Sequence, residues 1–131
     1  MWLLKTEPSA YSYSDLEGEG RAVWDGVKNP GALRNLREMK RGERVVVYHT
    51  GDEKAAVGVA EVVREAYADP KAKDARLLVV ELVPKRRLAR PVSLAEMKAS
   101  PVFVGSPLLR QGRLSVVKLT PAQWKALGAD A

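Results

Sequence analysis

The 131-residue sequence contains no cysteine, which removes disulfide scaffolds, thiol nucleophiles and cysteine-ligated zinc. Histidine occurs once, as His49, so multi-histidine metal sites are excluded as well. Aromatic residues are scarce: three Trp, four Tyr and one Phe, so the position of each carries information. Charges recur every few residues, and no apolar stretch approaches the length of a membrane span. The opening Met1-Trp2-Leu3-Leu4 is too short for the hydrophobic region of an export signal. A cytoplasmic protein with no membrane association is the resulting expectation. Nucleotide motifs are missing too. Gly18-Glu19-Gly20 lacks the third glycine of a dinucleotide fingerprint, and there is no G-x-x-x-x-G-K-[ST]. No G-x-S-x-G nucleophile elbow occurs either. Paired carboxylates such as Glu17/Glu19 and Asp52/Glu53 read as turn and surface charges. No cofactor or metal is called for.

What is present describes a folded chain. The sequence is 46% hydrophobic and 29% charged, outside the disordered range. Its length fits one domain spanning 1–131, which would bury roughly two-thirds of its extended-chain surface. There is no long linker, low-complexity tract or repeat. Lys and Arg number 22 against 16 Asp and Glu, a net charge of +6. That balance suits a polyanionic partner or simply a well-solvated surface.

Capping patterns predict the helices. Ser14-Asp15-Leu16-Glu17 has capping-box spacing, followed by a turn or two before Gly18 and Gly20. Asn29-Pro30 reads as an N-cap followed by proline at the first helical position. Leu33 and Leu36 give that helix an apolar face, Arg34, Arg37 and Arg41 a basic one, and Gly42 ends it. Ser93-x-x-Glu96 and Thr120-x-x-Gln123 open two more, running to about Ala99 and Leu127. Strands are predicted at Trp2–Lys5, Arg44–Tyr48, Ala55–Val63, Leu77–Val83 and Leu114–Leu119, with a hairpin through Gly51-Asp52. Gly58, inside a strand, marks a bulge or a close backbone approach. The fold class is α+β, with a curled sheet or partly closed barrel.

Few residues carry chemistry. Trp24 lies in Val23-Trp24-Asp25-Gly26-Val27 and either packs in the core with its indole N–H satisfied or lines a pocket. Trp2 and Trp124 read as core. Tyr48-His49 ends a strand, where a histidine is either hydrogen-bonded structure or part of a site. Arg110-Gln111-Gly112-Arg113 is either a solvated loop or a place where guanidinium groups meet phosphate and an amide meets a base edge. Lys85-Arg86-Arg87 is a solvated edge, or joins Arg34, Arg37 and Arg41 in a basic track.

The same segments carry a family resemblance. Trp2-Leu3-Leu4-Lys5-Thr6-Glu7-Pro8, Trp24-Asp25-Gly26-Val27-Lys28-Asn29, Tyr48-His49, Gly58-Val59-Ala60-Glu61-Val62 and Pro107 to Ser115 together resemble the EVE domain, in order and nearly end to end. The resemblance implies a PUA-like mixed β-barrel of five to six strands with flanking short helices, related to YTH and ASCH modules. It also implies a non-catalytic module that reads a single modified nucleobase in DNA or RNA; the sequence does not fix the oligomeric state, a monomer being the favoured one. Its pocket would be formed by Lys5, Thr6, Glu7, Trp24, Asp25, Asn29, Tyr48 and His49. Arg110, Gln111 and Arg113 would lie at the mouth or on the phosphate backbone, with Arg34, Arg37, Arg41, Lys85, Arg86 and Arg87 as an auxiliary basic track. Two positions depart from the family pattern. Pro30-Gly31 follows Asn29 where Tyr-Gln is common, and Leu77-Leu78 stands where Trp-Phe often begins a strand, which leaves half of an aromatic cage. The competing readings are a small-molecule-binding or hydrolytic enzyme using His49 with a nearby carboxylate, and a basic protein-interaction module.

Overall fold

The computed structural model describes residues 1–130. The chain begins with β1 (Trp2–Thr6), α1 (Tyr13–Glu19), β2 (Ala22–Trp24) and α2 (Pro30–Glu38). There follow β3 (Arg44–His49), β4 (Ala55–Ala68) and β5 (Leu78–Ser93). After α3 (Leu94–Ala99) and a 3₁₀ turn at Pro101–Phe103 come α4 (Pro107–Arg110), β6 (Val116–Lys118) and α5 (Pro121–Ala126).

The six strands form one mixed sheet in the order β2-β5-β4-β3-β1-β6. β1 runs parallel to β3, and every other pairing is antiparallel. Trp2, Leu3 and Leu4 are all buried, as a strand paired on both edges and covered on both faces requires. The expected barrel does not close: β2 and β6 are the free edges, and each is three residues long. The sheet curls instead. Helix α2 packs against β6, β5 and β4, although three strands separate β6 from β5. It plugs the gap between the edges, and the Asn35 amide donates to the Val116 carbonyl at 2.7 Å. Register shifts along β4 and β5 bend these two long strands.

Local chemistry explains where the elements differ from expectation. The capping box of α1 is Ser12 with Asp15, not Ser14 with Glu17; the Ser14 hydroxyl and the Glu17 carboxylate instead accept from Arg87. Asn29 caps α2 by accepting from the Ala32 N–H. That helix stops at Glu38, where Met39 is drawn fully into the core, so Arg41 lies beyond it and Gly42 serves the turn into β3. β4 and β5 outrun their predicted spans because their outer parts mix charged residues with isolated apolar ones, Leu88 and Val92 among them, and lose the continuous apolar pattern. Within β5, Val79, Val80 and Leu82 are buried as predicted, but Glu81 is buried among them. Trp2 and Trp124 are core residues. No helix among the described residues is long and apolar enough to cross a membrane.

Candidate functional site

Four residues singled out from the sequence meet at one cavity of about 690 Å³: Lys5, Thr6, Trp24 and Asp25. β1 delivers Lys5 and Thr6 from its last two positions, and β2 delivers Trp24 from its last. Asp25 and Gly26 follow in a loop that Gly26, at φ +78°, can turn without strain.

Trp24 is 7% exposed, yet it forms part of the cavity wall. Tyr11 meets it edge-on, with ring centroids 5.8 Å apart and planes at 88°, a favoured aromatic geometry. Among the described residues nothing accepts from the Trp24 indole N–H, and no buried side-chain donor is sealed off without a partner. That donor is therefore open. The Thr6 hydroxyl donates to the Tyr11 carbonyl at 2.6 Å, which fixes Tyr11 and leaves the threonine oxygen free to accept. Burial lowers the pKa of the half-buried Lys5 ammonium below its ordinary value, and its Nζ donates to the Gly112 carbonyl at 3.2 Å. Asp25 is exposed and makes no ion pair among the described residues. The wall thus offers a flat ring, two donors and two acceptors within one hollow.

Residues the sequence reading missed complete it. Tyr11 donates its hydroxyl to Glu19; burial, then that bond, raises the phenol pKa. Tyr67, from the far end of β4, also lines the cavity. Its hydroxyl donates to Glu81 at 2.6 Å, and the Arg64 guanidinium lies 3.8 Å from its ring centroid. The bond to Glu81 raises the Tyr67 pKa, while Tyr67, then Arg21 and Arg64, hold the Glu81 carboxyl below its usual range. Leu77 does not line this cavity; its carbonyl accepts from the Asp69 N–H at 2.9 Å. Besides Trp24, the aromatic residues lining this cavity are Tyr11 and Tyr67. No periodicity or motif marks either tyrosine.

The remaining candidates lie elsewhere. Asn29 is spent as the α2 cap. Glu7 lines neither cavity; its carboxylate accepts from the Ser9 N–H and hydroxyl, and those bonds lower its pKa. Tyr48 faces a second cavity of about 310 Å³ that shares Lys5 with the first. His49 is buried and touches neither hollow. Its Nε2 accepts the Tyr13 N–H at 3.0 Å, and Nδ1–H donates to Glu53 at 2.9 Å. The carboxylate the hydrolytic reading requires is therefore beside it, but the nitrogen that would take a substrate proton already holds one end of α1.

Among the basic residues, Lys85 lies 4.0 Å from Glu61 and Arg87 bonds Glu17 at 2.7 Å. Arg86 donates to the Gly128 and Arg87 carbonyls. This run is tied to its own chain. Arg34, Arg37, Arg41, Arg110 and Arg113 are exposed and form no ion pair among the described residues, and Gln111 ends α4 exposed. Arg110 and Arg113 flank Gly112, which accepts from Lys5. No cluster of three metal-ligating side chains occurs among the described residues.

The EVE domain model matches residues 1–129. The chain belongs to the EVE domain family. Human thymocyte nuclear protein 1 is 29% identical over 94% of this chain and 70% of its own length. A structure from Agrobacterium tumefaciens superposes with a TM-score of 0.94 at 30% identity, over 99% of this chain and 94% of that one. Human THYN1 protein, crystallised in complex with 5-methylcytosine-containing DNA, gives 0.86 at 28% identity, over 98% and 95%. An ASCH structure from Zymomonas mobilis, at 13% identity and a TM-score of 0.60 over 96% and 92%, shares this EVE domain's fold.

Proposed function

We propose that this EVE domain binds nucleic acid and receives a single base, in the first instance 5-methylcytosine, in the cavity between β1 and Trp24. The observation that carries this reading is the convergence of Lys5, Thr6, Trp24 and Asp25 on one hollow. A base stacked on the indole gains about 1–3 kcal/mol regardless of its identity. Selectivity then falls to the edge groups. The Thr6 oxygen and the Asp25 carboxylate accept from an exocyclic amine, while the Trp24 N–H and the Lys5 ammonium donate to ring and carbonyl acceptors. Arg110 and Arg113, with Gln111 between them, lie beside the Lys5 end of the site and hold the phosphate backbone. In a duplex the base must first be flipped out at a cost of a few kcal/mol, so a single-stranded ligand starts with an advantage. The structure of THYN1 with 5-methylcytosine DNA makes that base the natural first probe.

The test compares Trp24→Leu and Trp24→Phe in fluorescence anisotropy with methylated and unmethylated DNA and RNA oligonucleotides at fixed salt. Leucine stays apolar, at some cost in packing, but removes the stacking face, so affinity for the preferred base should fall by about 1–3 kcal/mol. Phenylalanine should lose less. A Trp24→Leu protein that is folded and binds as tightly as the parent overturns the base pocket.

A further inference from the structure

The second cavity has no part in the reading above, and its chemistry is distinct. Three lysines, Lys5, Lys54 and Lys98, line it together with Leu94, Leu108 and Leu109. Tyr48 and Lys5 are direct partners in the β1–β3 ladder, so neighbouring strands bring both to this cavity. Tyr48 is 4% exposed, yet its hydroxyl has no hydrogen-bond partner among the described residues. A nearly buried phenol of that kind is an unused polar group facing the hollow. Lys54 supplies a second, independent sign. It is the one non-glycine at positive φ among the described residues, at +46°, a sparsely populated conformation for a lysine. The Leu94 N–H donating to its carbonyl at 2.8 Å holds it there.

We infer that this cavity is the subsite for the nucleotide adjoining the inserted base. Lys5, Lys54, Lys98 and the Tyr48 hydroxyl hold its phosphate, and the leucines support its sugar and base. The assignment rests on the base-binding reading of the first cavity. Lys5 lines both hollows, so a strand whose base enters one delivers its next phosphate to the other. A volume of about 310 Å³ is at the small end of ligand pockets, fitting for one nucleotide and too little for a longer segment.

The test titrates the isotopically labelled full chain with a DNA trinucleotide carrying a central 5-methylcytosine, and separately with free deoxycytidine 5′-monophosphate. The Trp24 indole and Gly26 amide signals report the first cavity; the Gly51 and Gly112 amides report the second. Both sets should move with one midpoint for the trinucleotide. Movement of the first set alone overturns the subsite and leaves the base reading intact. Movement of the second alone overturns the base reading and with it the assignment to an adjoining nucleotide, and movement of neither removes both. Free mononucleotide filling the second cavity as tightly as the trinucleotide would also overturn the strand assignment. The double variant Lys54→Asn, Lys98→Gln removes two charges while asparagine tolerates the positive φ. It should bind the trinucleotide about tenfold more weakly with a salt slope lower by roughly one, and leave binding of the free methylated nucleoside unchanged. Tyr48→Phe should weaken the trinucleotide in the same selective way; equal trinucleotide affinity in both variants and the parent overturns the subsite.

Discussion

The ring of Tyr13 occupies the space that a side chain on Gly58 would need. A β-carbon there would lie 1.9 Å from Tyr13 Cε1. The Tyr13 hydroxyl crosses over the sheet to the carbonyls of Val59 and Arg86, at 2.7 and 3.0 Å, which pins α1 onto β4 and β5 at once. Gly58→Ala should therefore destabilise the fold by about 1–3 kcal/mol or more through overpacking. The urea midpoint measures it, and an unchanged midpoint would mean the ring can move aside at no cost.

His49 has a structural assignment that separates it from the binding groups. His49→Ala leaves the Tyr13 N–H buried without its acceptor, which costs about 1–3 kcal/mol. His49→Gln, which restores an acceptor, should recover part of that loss in chemical denaturation. Oligonucleotide affinity of the folded variants should match the parent. A folded His49→Gln protein that no longer binds would return the histidine to the site.

Acid sensitivity should trace to Glu81. Its carboxyl is held below the ordinary range by Tyr67, Arg21 and Arg64. A group depressed in the folded state stabilises above its unfolded pKa of about 4.3, and loses that contribution as pH falls through the folded value. Stability of the parent should decline below about pH 4.5 more steeply than that of Glu81→Gln. Parallel pH profiles would remove Glu81 as the cause.

Two classes of arginine should respond differently to salt. Arg110 and Arg113 are exposed and without ion-pair partners among the described residues, so Arg110→Ala or Arg113→Ala should each lower the salt slope of duplex binding by about one. Arg87 is already matched by Glu17 at 2.7 Å, and Arg87→Ala should leave the slope unaltered. The reverse pattern would move the phosphate track to β5.

Much of this arrangement was legible in the residues. Asn29-Pro30 marks a helix start. Gly58 marks a bulge or a close approach, and the tight contact is with the Tyr13 ring. Trp24 is open between core and pocket in the sequence, and it is both buried and part of a cavity wall. What escaped did so for identifiable reasons. Ser12-x-x-Asp15 and Ser14-x-x-Glu17 have the same capping spacing, so spacing alone does not choose between them; the first caps α1 and the second accepts from Arg87. β2 is too short to show alternation. The second half of β5 opens with Lys85, Arg86 and Arg87, and its buried Leu88 and Val92 are too isolated to show a strand pattern although strand pairing continues. Tyr11 and Tyr67 reach the cavity from segments far apart in sequence and bear no motif, so only the folded chain could bring them to Trp24.

The position of β1 also governs when this protein can be finished. Leu4 pairs with Val47 on one edge and with Val116 on the other. A nascent chain on the ribosome can zip β1 to β3 early, but the other edge of β1 waits until β6 has emerged. Until then an apolar ribbon stands ready to accept any stray strand. Truncations that remove residues 116–118 should thus yield aggregates in the cell, not a shorter soluble protein.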